Sequence, residues 1–190
     1  MKPKLLLHIC CAPCATEVVC RLQDEYELVG FFYNPNIHPE EEYLRRLTAA
    51  QLFGALWHVP MDTGEYEPGR FLDVARGLEH EPEGGRRCEV CFRLRLEESA
   101  RRARANGCSV VATTLTIGPT KRADAVNRVG EEVCRDFGVR FLPADWKKGD
   151  GFRRSVEYSK ELGLYRQEYC GCRFSMPGNR AGQSDSAAES

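Results

Sequence analysis

The sequence predicts an α/β domain built on a mostly parallel sheet with helices on both faces. Three observations support this. Short apolar runs alternate with helical stretches, turn residues separate them, and three loops of unusual composition fall where apolar runs end.

Residues 4–9 (KLLLHI) are consistent with a buried strand, and residues 15–22 follow as a helix. Residues 28–33 (LVGFFY) are rich in β-formers and stop at Asn34, Pro35 and Asn36, a turn signal. Residues 40–53 are a charged helical stretch, and residues 56–60 read as a third strand. Residues 88–106 read as a long helix ended by Gly107. Residues 109–113 (SVVAT) form another strand. Val126, Val129, Val133 and Phe137 mark one face of a helix closed by Gly138, and residues 139–142 supply a last strand. The stretch 175–190 is rich in Ser, Gly and Ala without an apolar pattern, so disorder is expected there, with residues 1–174 as one domain. In parallel sheets, ligands bind beyond the carboxyl ends of the strands. The loops at 10–14, 34–39 and 113–121 all fall at such ends and point to one shared site.

The chain has 190 residues, 42% hydrophobic and 29% charged, enough for a core without disulfides. Its first apolar run stops at His8, too soon for a signal peptide, and nothing approaches the roughly 18 apolar residues of a membrane span. A cytoplasmic chain without a membrane partner is therefore expected. In a reducing compartment, ten cysteines point to metal or redox chemistry rather than to a disulfide framework. The net charge of −1 excludes a globally basic nucleic-acid binder. Locally, residues 86–105 hold seven arginines against three glutamates. That face suits phosphate, or is a solvated Glu–Arg helix face.

Cys10, Cys11 and Cys14 sit where the first strand ends. Consecutive cysteines inside a strand face opposite ways, but at a turn both can converge on one centre, and a helix start nearby offers free N–H groups that favour thiolates. Cys88 and Cys91 form a C-x-x-C pair after Gly84 and Gly85. With Cys10 and Cys11 they supply four thiolates, a set suited to zinc or to an iron–sulfur cluster, since spacing does not separate the two. Cys14 is open between cluster ligand, ligand of a second metal and bystander. Cys170 and Cys172 flank Gly171 at a distance that admits a strained, labile disulfide suited to electron relay, with metal binding by the same sulfurs or two unlinked thiols as the alternatives. Cys20, Cys108 and Cys134 read as core filler. His8 reads first as a satisfied core histidine, His38 as a loop residue able to face a ligand, and the 113–121 loop as a phosphate contact or a cap.

These residues together resemble the cobalamin-independent epoxyqueuosine reductases, the QueH family. The resemblance rests on HICCAPC at 8–14, YNPNIHP at 33–39, RCEVCFRLRL at 87–96, TTLTIGPTK at 113–121, and FRRSVEYSKELGLYRQEYCGC at 152–172. It implies a Rossmann-like domain related to the HUP and PP-loop enzymes, but the 10–14 loop lacks the Gly and Ser of a pyrophosphate site, which disfavours ATP chemistry. It further implies a 4Fe-4S cluster on Cys10, Cys11, Cys88 and Cys91, and a redox-active pair at Cys170 and Cys172. An additional mononuclear iron is also implied, for which Cys14 is the candidate ligand. The implied reaction is the two-electron deoxygenation of epoxyqueuosine in tRNA to queuosine, with an external electron donor. Tyr165, Tyr169, His38 and Asp145 are the candidate proton donors. Phe92, Arg93 and Arg95, with Lys147, Lys148, Arg153 and Arg154, are candidates for meeting the anticodon loop. A PP-loop-like tRNA sulfur-transfer or adenylating enzyme and a zinc-stabilised RNA-binding module are the alternatives.

Overall fold

The structure is a computed structural model that describes residues 2–176. Its strands are β1 (Lys4–His8), β2 (Glu27–Phe32), β3 (Met61–Thr63), β4 (Val110–Thr113) and β5 (Arg140–Phe141). All neighbours pair in parallel, in the order β3-β2-β1-β4-β5. The helices are α1 (Ala12–Leu22), α2 (Glu40–Leu56), α3 (Pro68–Val74), α4 (Arg86–Ala105), α5 (Ala123–Asp136) and α6 (Gly151–Glu161). The parallel α/β architecture expected from the alternation is observed, in the Rossmann-like form that the resemblance implies.

β1 explains why the sheet is covered on both sides. Leu5, Leu6 and Leu7 are completely buried. Side chains alternate along a strand, so Leu5 and Leu7 pack with Val18 and Val19 of α1 and Phe53 of α2, while Leu6 packs with Leu96 of α4 and Val129 of α5. Each such leucine contributes about 1.5–3 kcal/mol of burial, so the central strand anchors both layers.

The strand order reverses between β1 and β4, the switch point where such sheets open a crevice. His8 pairs in register with Phe31 on one side and Thr113 on the other, which brings the ends of three strands to one level. The His8 ring lies 2.8 Å from Thr113 Oγ1 and 3.2 Å from the Tyr33 carbonyl. Burial, with Arg95 nearby, lowers its pKa to about 3, so it is a neutral core histidine.

Three sequence expectations need correction. The third strand is Met61–Thr63, not 56–60. α2 runs on to Leu56, and the chain then reverses through His58 at φ 54°, so the apolar residues at 56–59 belong to a helix end and a turn. α3 and α6 were not legible. α3 buries only Phe71 among its side chains, and α6 buries Ser155 and Ser159 rather than an apolar stripe. Ser175, expected in a disordered tail, is buried in a 3-10 turn at Arg173–Ser175, and residues 177–190 lie outside the described residues.

Candidate metal centre and its cavity

β1 ends at His8, and the chain turns through Ile9 and Cys10 into α1, whose N-cap is Cys11 and whose first turn holds Pro13. Proline fits there because its missing N–H would be unpaired in any case. Cys14 follows Cys11 by three residues and so returns to the same face. The sulfurs of Cys10, Cys11 and Cys14 all lie within 4.8 Å of one another, and Cys10 Sγ is 3.8 Å from Cys11 Sγ. The end of β4 completes this corner, where Thr114 Oγ1 accepts from the Cys10 N–H at 3.1 Å and donates to Cys10 Sγ at 3.2 Å.

The three thiols are made inequivalent by their contacts. Hydrogen bonds from Cys11 and Cys14 lower the Cys10 pKa, helped by Arg95 and Thr114. The Cys11 thiol is pushed up, first by burial and then by its bond to Cys10. Cys14 is pushed up by the same bonds and by burial. Three convergent sulfurs at a helix N-terminus fit a thiophilic metal, whose binding would displace their protons.

Cys88 and Cys91 lie outside this trio. They open α4 and line a small cavity of about 10 Å³ with Cys170, Cys172, Phe71, Arg95 and Lys121. The Gly84 N–H donates to Cys88 Sγ at 3.2 Å, and Arg95 lies 4.0 Å from Cys91 Sγ. Burial raises both thiols, Cys91 to about 12. Cys170 and Cys172 are present as unlinked thiols, with Cys172 packed among Phe71, Cys91 and Leu94.

A second cavity of about 310 Å³ opens beside the first. Its wall includes Cys10, Cys14, Arg46, Phe152, Gln167 and Tyr169. Arg95, Lys121 and Cys170 line both cavities and therefore connect the two sulfur groups. Burial alone would lower the Lys121 pKa, but the Cys170 sulfur and the Glu83 carboxylate, 2.8 Å away, outweigh it and hold the ammonium charged.

Several expectations change on this geometry. Phe92 is buried in the core, so it is not a stacking platform for bases. Arg95 is buried with its guanidinium on Asn34 Oδ1, so it serves the sulfurs rather than phosphate. Lys121 faces Cys170 and Glu83, and Thr113 caps the turn after β4 by accepting from Leu115 N–H. Arg93 pairs with Glu132, Arg153 with Asp150 and Glu157, and Arg154 with Glu17. Lys147 bonds the Lys121 carbonyl at 2.6 Å, while Lys148 is exposed. Of the four candidate proton donors, Tyr169 lines the larger cavity. Tyr165 bonds Glu42, Asp145 lies 3.6 Å from Lys147, and His38 is exposed with its carbonyl accepting from Tyr169 Oη. Cys108 and Cys134 are buried and Cys20 is half-buried. Sequence reasoning missed Arg46 and Gln167, since nothing in their local pattern signals contact with a distant cysteine turn, whereas Thr114 lies in the 113–121 loop expected to share a site with the 10–14 loop.

The model of the family described as "Epoxyqueuosine reductase QueH" matches residues 5–177 of this chain. The chain belongs to that family. The epoxyqueuosine reductase QueH of Streptococcus pyogenes serotype M1 is 41% identical over 178 residues, covering 90% of this chain and 70% of that protein. QueH of Staphylococcus epidermidis is 41% identical over 91% of this chain and 76% of its own length. QueH of Thermotoga maritima is 35% identical over 90% of both. Among solved structures, the U34-tRNA thiolase NcsA from Methanococcus maripaludis with its 4Fe-4S cluster superposes with a TM-score of 0.59 at 16% identity. The match covers 96% of this chain and 64% of that one, so the likeness establishes the fold. No helix among the described residues is long and apolar enough to cross a membrane.

Proposed function

We propose that this chain reduces epoxyqueuosine in tRNA to queuosine, in the cytoplasm, with a 4Fe-4S cluster held by Cys10, Cys11, Cys88 and Cys91. The observation that carries the reading is a 310 Å³ cavity whose wall bears the sulfurs of Cys10, Cys14 and Cys170 in a chain of the QueH family. Cys14 is then the candidate ligand of an additional iron.

Deoxygenating the epoxide takes two electrons and two protons, and gives an alkene and water. The Cys170–Cys172 pair supplies that stoichiometry when two thiols become one disulfide, releasing two electrons and two protons. An external reductant restores the dithiol. A bound cluster supplies one-electron redox chemistry at low potential. The chain's own residues hold the parts in place. Lys121 holds a positive charge beside the Cys170 sulfur. Arg95 would offset the negative charge of Cys10 and Cys91 once both serve as thiolate ligands. Among the candidate proton donors we favour Tyr169, the one that lines the larger cavity; its hydroxyl would have to leave the His38 carbonyl to reach the substrate.

Protein purified without oxygen, assayed for iron, acid-labile sulfide and zinc, tests the metal assignment. About four sulfides per chain are expected, with four irons for the cluster and a fifth where the Cys14 site is filled. One zinc and no iron would turn the cysteines into a structural site and remove the redox centre. Loss of activity in Cys10→Ala and Cys88→Ala with retained folding supports the scheme, whereas an active, cluster-free double variant sinks it.

A further inference from the structure

Gln167 stands between the Cys11 sulfur and the larger cavity. Its Nε2 donates to Cys11 Sγ at 2.9 Å, and the residue is part of the cavity wall. Its Oε1 is sealed from solvent and has no hydrogen-bond partner among the described residues. An amide oxygen can accept two hydrogen bonds, and leaving it dry and unpaired is costly enough that native structures rarely do so.

The orientation of the amide follows from the sulfur. A metal-bound cysteine is a thiolate with no hydrogen to give, so only the N–H edge of Gln167 can face it. The oxygen edge is thereby held away from Cys11. The segment itself is fixed on both sides: Arg166 donates to Ser159 Oγ at 2.7 Å, and the Tyr169 carbonyl accepts from Arg46 at 3.1 Å.

We infer that Gln167 is a positioning and specificity residue that contacts the metal centre through one edge and the substrate through the other. The N–H edge withdraws charge from the Cys11 sulfur and raises the reduction potential of the centre, as hydrogen bonds to cluster sulfurs do. The oxygen edge accepts a hydrogen bond from a hydroxyl of the substrate's oxygenated cyclopentane ring. This inference rests on the reductase reading above.

The test uses the full chain, iron-loaded without oxygen, as wild type, Gln167→Met and Gln167→Glu. The Met variant keeps length and removes both edges, and the Glu variant keeps size but replaces the donor by an oxygen. Two quantities are read: the midpoint potential of the visible absorbance in a dye-mediated titration, and KM against kcat on tRNA bearing epoxyqueuosine. A more negative potential is expected in both variants. KM is expected to rise about two- to tenfold in the Met variant, the loss of one neutral hydrogen bond. Unchanged potentials overturn the sulfur contact, and an unchanged KM overturns the substrate contact. Should the Met variant fail to fold, the Glu variant decides the sulfur contact, and Gln167→Asn, whose shorter amide misses the substrate, decides the KM. If wild type takes up iron yet does not turn over substrate, the reductase reading fails while the potentials still judge the sulfur contact. A wild type that takes up no redox metal overturns both.

Discussion

The guanidinium of Arg46 donates to the backbone carbonyl of Cys170 at 3.1 Å, so a helix on one side of the sheet holds the turn that carries the C-terminal cysteine pair. The same group donates to the Tyr169 carbonyl at 3.1 Å and to Glu42 at 2.7 Å, and Glu42 in turn accepts from Tyr165 at 2.7 Å. The side chains of Arg46 and Glu42 are 2% and 8% exposed. Arg46→Met leaves the buried Glu42 carboxylate with only the exposed Arg45, 3.9 Å away, as counter-charge and should destabilise the fold by about 3 kcal/mol. Urea unfolding of the variant against wild type measures this. A loss under about 1 kcal/mol, the scale of a surface pair, contradicts the clamp.

Gly171 adopts a φ of +116°, and a Cβ there would lie 2.9 Å from Arg46 Nη1 and 3.0 Å from Ile37 Cγ1. Gly171→Ala therefore combines backbone strain with a displaced clamp. We expect a loss of about 1–3 kcal/mol in stability, together with slower closure of a Cys170–Cys172 disulfide by a mild oxidant. Thiol counting over time gives the second readout, and wild-type kinetics would contradict it.

Cys134 gives a pH signature remote from the metal centre. Burial raises its pKa to about 12 from a reference of 9.0. The folded state therefore holds the proton where the unfolded state releases it. The stabilisation is fully present below pH 9 and is lost as pH rises towards 12, at up to about 1.4 kcal/mol per pH unit for one proton. Urea midpoints between pH 8 and pH 10 should fall less in Cys134→Ala than in wild type. In the native state this thiol should resist iodoacetamide at pH 8.

Arg166 is exposed at the edge of the larger cavity, which suits an incoming phosphate. Arg166→Glu should weaken tRNA binding across sequences and lower the slope of log affinity against log salt by about 1. Filter binding at several salt concentrations decides it, and an unchanged slope removes Arg166 from the footprint.

Four of the five strands and four of the six helices were legible because β1 centres on three leucines, β2 is rich in β-formers, and α4 and α5 end on glycines at positive φ. α6 was hidden because its inward face is Ser155 and Ser159, and β3 because the turn at His58 moves the strand past Pro60. Within the site, the cysteines announced themselves by spacing. The residues that govern them did not. Arg95 reads as one arginine among seven on a basic helix, and only the packed structure shows it buried between Asn34 and Cys91. Gln167 lies 156 positions from the sulfur it touches, a relation no local pattern encodes.

The most direct test is a single-turnover assay. Iron-loaded protein, reduced with dithionite and freed of excess reductant, is mixed with tRNA bearing epoxyqueuosine, and the digested nucleosides are read by mass spectrometry. The account predicts loss of one oxygen from the modified nucleoside, giving queuosine, and no conversion by Cys10→Ala. Unchanged epoxyqueuosine with fully loaded wild-type protein would contradict it.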